Sequence, residues 1–280
     1  MNIKKLFISF LILLLTNNVF AKAMTNHDVI EYFNELAFGS EFGGESKRCS
    51  KWATNMKIFV AGKPPAYLDK ELDKIIKEIN TLISPIKLLR VNSKRESNYI
   101  IFFGSGEGYT NIEPKAKAYI DENWGLFWVY SNRNNEIFRG TMYVDIFRTK
   151  NKNAQKHLLR EELTQSLGIM NDSYKYSDSM FYQKWSHPTS YSAIDKQVIK
   201  LLYNPAIKPN MTKSEINKLI ASKGLISMTD SERSELSKSN QSKNRKANGE
   251  GSKGNQETGY GSNEPEPVKP FKSEGFGSNK

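Results

Sequence analysis

The sequence predicts an α+β fold: one twisted mixed sheet with a long helix and a second main helix packed on it, plus a C-terminal helix. Two observations support this class. An amphipathic helix pattern over residues 67–83 precedes the main strand-like runs, and a second helix pattern over 154–167 follows a predicted hairpin. The full order is helix, strand, long helix, strands, second main helix, loop and C-terminal helix, which is an α+β layout.

The first elements are read from apolar periodicity. Residues 26–38 are expected to form a short helix with one apolar face, and residues 57–60 a short strand. Residues 67–83 give the clearest helix, because their apolar side chains fall on one stripe, and Pro85 ends it.

The middle of the chain is predicted to supply most of the sheet. Residues 86–91 and 98–103 are strand-length apolar runs, and a hairpin is expected between strands 125–130 and 137–147. The glycine cluster at 104–108 lacks the Lys-Ser/Thr ending of a phosphate-binding loop and has no helix signal after it, so a flexible loop is predicted.

The second main helix is predicted over residues 154–167, with Asn153 as its N-cap and Gly168 as its C-cap. Capping-box pairs predict two further helices, and these pairs are Ser192 with Asp195 and Thr212 with Glu215.

Residues 1–21 have the pattern of a secretory signal peptide. Lys4 and Lys5 precede an apolar run over 6–15, and small residues lead to a cleavage position after Ala21. The apolar run is too short to span a bilayer comfortably, so we expect its removal. The mature chain is then exported, periplasmic or secreted in a bacterium, and has no transmembrane segment.

Composition separates a folded domain over 25–223 from a tail over 229–280. The tail is rich in Ser, Asn, Lys, Gly, Glu and Pro and is expected to be disordered. Cys49 is the only cysteine, which excludes an intramolecular disulfide and predicts an inert, packed thiol. The net charge of +11 favours polyanions, although no nucleic-acid motif is present.

The most informative stretch runs from residue 161 to 171, where the spacing is that of the zinc-protease pattern HExxHxxGxxH. In that pattern three His bind the metal, the Glu is the general base and the Gly ends the helix. Here Glu162 and Gly168 keep their places. The residues at the histidine positions are Glu161, Gln165, and Asn171 with Asp172.

Carboxylate and amide oxygens are weaker zinc donors than imidazole, so no zinc site of the usual type is expected. Three interpretations of the helix remain open. His157, Glu161 and Gln165 share one face and could hold an unusual divalent ion together with Asp172. Adjacent carboxylates could instead share a proton for acid and base work. The third is structural: Glu161 and Gln165 bind the loop after the helix, with Asp172 returning toward Gln165.

Several short motifs in order resemble the bacterial domain-of-unknown-function 2927 family over about residues 38–211. They are Phe42-Gly43-Gly44, Lys51-Trp52, Glu161-Glu162-Leu163-Thr164-Gln165, Leu167-Gly168, Asn171-Asp172-Ser173, Asp178-Ser179-Met180-Phe181, and Asp195 followed by Leu201-Leu202-Tyr203-Asn204-Pro205 and Lys208-Pro209. This resemblance implies an exported domain without an established activity. A more distant resemblance to the metzincin-like peptidase fold rests on Glu162, Gly168 and the helix that begins near Asp195.

The predicted function is therefore a non-proteolytic binding or envelope-associated module whose former cleft, lined by His157, Glu161, Gln165, Asn171 and Asp172, contacts a partner. An envelope polymer or another exported protein is the expected kind of partner, and no cofactor is expected. The alternative is a hydrolase, most simply a peptidase, that uses Glu162 as general base with a non-standard metal site.

Overall fold

The computed structural model describes residues 26–39, 47–184, 186–229, 231, 232 and 234. These fall into two compact units, one over 26–227 and one beginning at Met228. The predicted signal peptide, residues 42–44 of the family resemblance and most of the predicted tail lie outside the described residues.

The first residues of the predicted tail carry local structure. Residues 231, 232 and 234 are helical. The Thr229 backbone N–H donates to the Glu232 carboxylate at 2.7 Å, and the Glu232 N–H donates to Thr229 Oγ1 at 3.2 Å. Such reciprocal capping starts a helical turn where disorder was expected.

The predicted mixed sheet is confirmed. Its strands are β1 Lys51–Trp52, β2 Met56–Gly62, β3 Leu88–Arg90, β4 Tyr99–Gly104, β5 Gly125–Ser131 and β6 Glu136–Asp145. They run in the spatial order β1-β6-β4-β2-β3, with parallel neighbours throughout, and β5 pairs antiparallel with β6.

The helices complete the α+β layout. The helices are α1 Asn26–Phe38, α2 Ala66–Leu82, α3 Gly106–Thr110, α4 Lys152–Gln165, α5 Ala193–Leu202 and α6 Lys213–Lys223, with 3₁₀ turns at Lys94–Glu96 and Pro114–Ala118. The longest described helix, α2, contacts α4, which carries the protease-like spacing, and α4 also contacts β5 and β6. We call α4 the motif helix.

Two local predictions were wrong for a common reason, which is side-chain capping. The glycine cluster does not form a loop throughout, because Ser105 Oγ accepts a hydrogen bond from Gly108 N at 3.1 Å and so starts the short helix α3. The N-cap of the motif helix is Asn151 rather than Asn153. Its side chain accepts from the backbone N–H groups of Asn153 and Ala154 at 2.9 and 3.2 Å.

The two faces of the sheet are covered differently. Tyr99 and Ile101 of β4 point to the face on which the motif helix packs, whereas Ile100 and Phe102 point to the opposite face. That second face is covered by an apolar cluster that includes α3 and the second 3₁₀ turn. Its members are Tyr109, Ala116, Leu126 and Tyr143, with Phe102, Ile112, Tyr119 and Ile120 packed against them.

The end of the motif helix is fixed by Gly168. Its φ of +118° lies in the region that side chains rarely adopt, and a Cβ at this position would overlap the backbone carbonyl oxygen of Ser50. Because Ser50 immediately precedes β1, the chain approaches the helix end here without room for any side chain.

Side chains from distant segments satisfy the last carbonyls of this helix region. Trp52 Nε1 donates to Ser166 O at 3.0 Å, and Tyr203 Oη donates to Leu167 O at 2.8 Å. Helix-terminal carbonyls have no partner inside the helix, so these bonds replace water at a buried end.

We expect Gly168→Ala to lower the free energy of unfolding by more than about 2 kcal/mol, because it combines backbone strain with a steric overlap on Ser50. Gly224→Ala is the matched control. Gly224 also has positive φ, at +58°, but nothing lies within 4 Å of its Cβ position, so the cost should be about 1 kcal/mol. Urea unfolding measures both, and equal losses would contradict the role of the Ser50 contact.

Candidate functional site

The motif helix is buried on nearly all sides, although much of its sequence is polar. Its candidate side chains are each 1% exposed or less, and these are His157, Arg160, Glu161, Glu162 and Gln165. Charged residues are almost never buried to this extent unless they are paired, so the contacts of each side chain decide what the helix can do.

Arg160 joins the motif helix to α2. Its guanidinium donates to Glu71 at 2.9 Å and also to Glu78, and it stacks over the Tyr191 ring at 4.6 Å from the centroid. Tyr191 Oη in turn lies 2.7 Å from Thr164 Oγ1, one turn along the same helix. Both terminal nitrogens of this buried guanidinium thus contact carboxylates of α2, and its flat face contacts an aromatic ring.

His157 and Glu161 form a buried pair one turn apart. His157 Nδ1 lies 3.0 Å from the backbone oxygen of Pro188, which can only accept, so Nδ1 carries a proton. His157 Nε2 lies 3.2 Å from Glu161 Oε2. The imidazole and the carboxyl group are therefore in direct contact inside the protein.

His187 packs against this pair, with its ring centroid 6.4 Å from that of His157 in an edge-on arrangement. Burial lowers the pKa of His187, and His157 lowers it further. The corner between the motif helix and residues 187–188 therefore contains two imidazoles and one carboxyl group.

Gln165 and Asp172 form the second buried pair. Gln165 Nε2 donates to Asp172 Oδ1 at 2.6 Å, which holds the loop after Gly168 against the helix. Asn171 is directed to α1 instead, since its Nδ2 donates to Glu35 O at 3.0 Å. Gln165 thus binds the loop through a side chain rather than its backbone, and Glu161 contacts His157 rather than this loop.

Glu162 points toward the sheet. A Cβ added to Gly125 of β5 would lie 3.3 Å from Glu162 Oε1, so the missing side chain of Gly125 makes room for this carboxylate. Burial raises the pKa of Tyr99, a bond with Ser166 offsets part of this rise, and the negative charge of Glu162 adds to it. The carboxylate of Glu162 therefore sits between β5 and β4 and is fully buried.

The candidate residues consequently do not meet in one open cleft. The structure brings His157 together with Glu161, and Gln165 together with Asp172. It places Glu162 at the sheet and Asn171 at α1.

The donor set does not fit zinc. His157 is the only imidazole on the helix, and the amide nitrogen of Gln165 is bound to Asp172. Within the described ranges, no group of three or more His, Cys, Asp or Glu side chains stands close enough together to hold a metal ion.

A buried carboxylate that motif spacing did not single out as a site is Asp195. It accepts from Ser179 Oγ at 2.5 Å and from the backbone N–H groups of Met180 and Ser192 at 3.0 and 2.9 Å. Tyr32 Oη donates to Ser179 Oγ at 2.7 Å, which extends the network to α1. Burial raises the pKa of Asp195 to about 6, and its hydrogen bonds offset part of that effect.

Lys51 is a second buried charge outside the motif. Its ammonium donates to the backbone oxygens of Leu202 and Ile207 at 2.5 and 3.0 Å, where α5 ends and its carbonyls need donors. Burial lowers the pKa of Lys51 to about 8. Nearby Cys49 is fully buried and burial raises its pKa to about 11, which is the environment of an inert thiol.

Across the part of the chain that the structure describes, no helix is both long and apolar enough to cross a bilayer.

The fold and the motif helix define an α+β domain in which a protease-like spacing is occupied by buried polar side chains, two of which contact partners within the site, Glu161 with His157 and Gln165 with Asp172. The family model described as "Protein of unknown function (DUF2927)" matches residues 26–222, and the chain belongs to this family. The resemblance found in the sequence is thereby confirmed, over a somewhat longer span.

Two solved structures of myroilysin also match. One is 12% identical, with a TM-score of 0.36, and covers 58% of this chain and 98% of that chain. The other is 15% identical, with a TM-score of 0.29, and covers 65% of this chain and 67% of that chain. Both TM-scores lie below 0.5, so neither match bears on activity. No curated protein matches the sequence.

The raised pKa of Asp195 predicts a pH-dependent stability. The Asp195 carboxyl group binds its proton more tightly in the folded state, where its pKa is about 6, than in the unfolded state, where its pKa is 3.8. Protonation of Asp195 therefore stabilises the fold fully below pH 3.8, and this stabilisation is lost as the pH rises through about 6. Relative to Asp195→Asn, the wild-type free energy of unfolding should fall by roughly 2 to 3 kcal/mol between pH 4 and pH 7. Urea unfolding at both pH values measures this difference.

Asp121→Asn serves as the control, because Asp121 is exposed and its variant should track the wild type at both pH values. A wild-type minus Asp195→Asn difference that is the same at pH 4 and pH 7 would show that Asp195 titrates normally.

The donor set predicts poor zinc binding. We expect far less than one zinc ion per chain in protein purified from its native compartment, because the motif helix supplies one imidazole where the zinc-protease pattern supplies two. Elemental analysis after dialysis against a mild chelator measures the content. Stoichiometric zinc that survives this dialysis would contradict the prediction and favour the hydrolase alternative.

Proposed function

We propose that this chain is an exported, non-proteolytic binding domain of the bacterial envelope, in which the motif helix serves as internal scaffold. The observation that carries the proposal is the burial of the motif side chains together with their contacts to one another and to α2. A catalytic constellation has to meet solvent and substrate, whereas this one is directed inward.

The position of Glu162 supports a scaffold role over the hydrolase alternative. A general base has to lie within hydrogen-bond reach of the proton that it removes, directly or through one water. Glu162 is 0% exposed and is directed at β5, where Gly125 makes room for it. The donor set around it does not fit a zinc ion that would activate water.

Export and the kind of partner are supported by sequence. The pattern over residues 1–21 is that of a cleavable signal, and removal of Lys4 and Lys5 with it changes the net charge from +11 to +9, which still attracts anionic surfaces. An anionic envelope polymer or another exported protein with an acidic surface fits this charge.

The substitution Glu162→Gln separates scaffold from catalysis. We expect no cleavage of a peptide library by the wild-type protein, and a Glu162→Gln variant that unfolds at lower temperature, because the substitution changes a fully buried carboxyl group packed beside Gly125, at a cost of about 1 to 3 kcal/mol. Glu122→Gln removes a carboxylate from an exposed position and should leave the melting temperature unchanged.

The opposite combination of activity and melting temperature would contradict the proposal. A wild-type protein that cleaves the library, with activity that falls by roughly two to four orders of magnitude in Glu162→Gln at an unchanged melting temperature, would identify Glu162 as a general base.

A further inference from the structure

A cavity of about 470 Å³ opens on the face of the sheet opposite the motif helix. Its strand residues lie on that face, because Ile100 pairs with Thr141 and Tyr130 pairs with Arg139. The segment that covers them contributes the other wall around Glu113. The volume is within the range of about 300 to 1,000 Å³ that is usual for small-molecule sites.

The neutral polar side chains that line this cavity are already bonded within the fold. The Asn98 amide accepts from the backbone of residue 57 at 2.6 Å and donates to that of residue 55 at 3.0 Å. Ser97 Oγ donates to a backbone oxygen at 2.8 Å, and Thr141 Oγ1 lies 2.7 Å from Tyr109 Oη. These groups hold the cavity wall in place and have little capacity left for a ligand.

The charged side chains of the lining differ in this respect. Glu113 is 4% exposed, and Tyr130 Oη donates to it, 2.9 Å from each carboxylate oxygen. Among the described residues, no Lys, Arg or His nitrogen lies within 4.0 Å of this carboxylate. A buried carboxylate with one hydroxyl donor retains acceptor capacity and gains strongly from a cationic donor.

Two cations face the same cavity, also without an acidic partner. The guanidinium of Arg139 stacks on the Tyr130 ring at 4.1 Å from its centroid, and Lys94 is exposed nearby in the lining. Within the described ranges, neither of them has a carboxylate oxygen within 4.0 Å. Tyr130 therefore binds the Glu113 carboxylate through its hydroxyl group, and its ring contacts two cations, Arg139 and Lys115, the latter at 5.0 Å from the centroid.

We propose that this cavity binds a small zwitterion of the amino-acid class, either a free amino acid or a short peptide. The ligand's ammonium group pairs with Glu113, and its carboxylate pairs with Arg139 and Lys94, since a guanidinium matches a carboxylate with two parallel hydrogen bonds. Apolar side chains of the lining receive the ligand's side chain, and these are Ile100, Ile112 and Pro114.

Charge recognition distinguishes this ligand from a neutral or acidic sugar. A sugar is held mainly through its hydroxyl groups by neutral donors and acceptors, and those in this lining are bonded to the protein. This proposal rests on the proposed binding function and adds a class of ligand to it. The cavity shares no residue with the motif helix, so an absence of amino-acid binding would not affect the peptide-cleavage test of Glu162.

Isothermal titration calorimetry of the full mature chain tests the site, with each of the common amino acids, a set of dipeptides and galacturonic acid as probes. We expect binding by a subset of the amino acids or dipeptides. The N-acetylated and the amidated forms of the best ligand, which each lack one charge, should bind at least about tenfold more weakly. Whether the free amino acids or the dipeptides bind more tightly identifies the source of the ligand.

Glu113→Gln and Arg139→Gln should each weaken binding of the best ligand by at least about tenfold, whereas Glu122→Gln and Arg133→Gln, which change exposed charges outside the lining, should not. Thermal melting establishes that each variant is folded, and if Glu113→Gln fails to fold, Arg139→Gln decides. Absence of binding by every zwitterion, binding unchanged in the folded cavity variants, or tighter binding of galacturonic acid would overturn the proposal.

Discussion

The ion pairs of Arg160 constrain the rest of the structure. A guanidinium inside the protein has to be neutralised, and Glu71 and Glu78 reach it only if α2 and the motif helix keep one relative position. Removing one partner of a buried pair costs about 3 to 5 kcal/mol, whereas replacing the whole set with apolar residues is often neutral. The value of these pairs is therefore specificity: they select one register between the two main helices, which apolar contacts alone would allow to slide.

The same need to satisfy buried polar groups explains why the two-residue strand β1, although it lies at an edge of the sheet, contacts the ends of two helices. Lys51 donates to the carbonyls at the end of α5, and Trp52 donates to Ser166 at the end of the motif helix. Two helix ends that would otherwise lack donors thus depend on one short segment. Gly168 allows this segment to approach closely enough, since any side chain there would meet Ser50. The glycine of the protease-like pattern thus has a packing explanation within this chain.

The sequence patterns correctly predicted those elements that depend on interactions between residues close together in the chain. The stripe of α2, the hairpin of β5 and β6 and the two capping boxes are set by neighbours within a few residues, and they appear in the structure. Strand order and β1 were not predictable, because they depend on pairing between distant segments. At the site, spacing placed His157 and Glu161 one turn apart. The spacing could not indicate that the His157 imidazole contacts the Pro188 carbonyl, or that the lack of a side chain at Gly125 leaves space for Glu162. Both partners are remote from the motif helix in sequence.

The two faces of the sheet differ in the contacts that their charged side chains make. On the motif-helix face, His157 contacts Glu161, Arg160 pairs with Glu71, and Gln165 binds Asp172, while Glu162 is buried beside Gly125, so these side chains are packed inside the domain. On the opposite face, Glu113, Arg139 and Lys94 line a cavity without opposite charges from the described residues within 4.0 Å. A domain of this size gains no stability from leaving a nearly buried carboxylate without a cation. Ligand recognition is a sufficient reason to keep it, so the functional surface is more reasonably sought there than at the helix whose spacing first attracts attention.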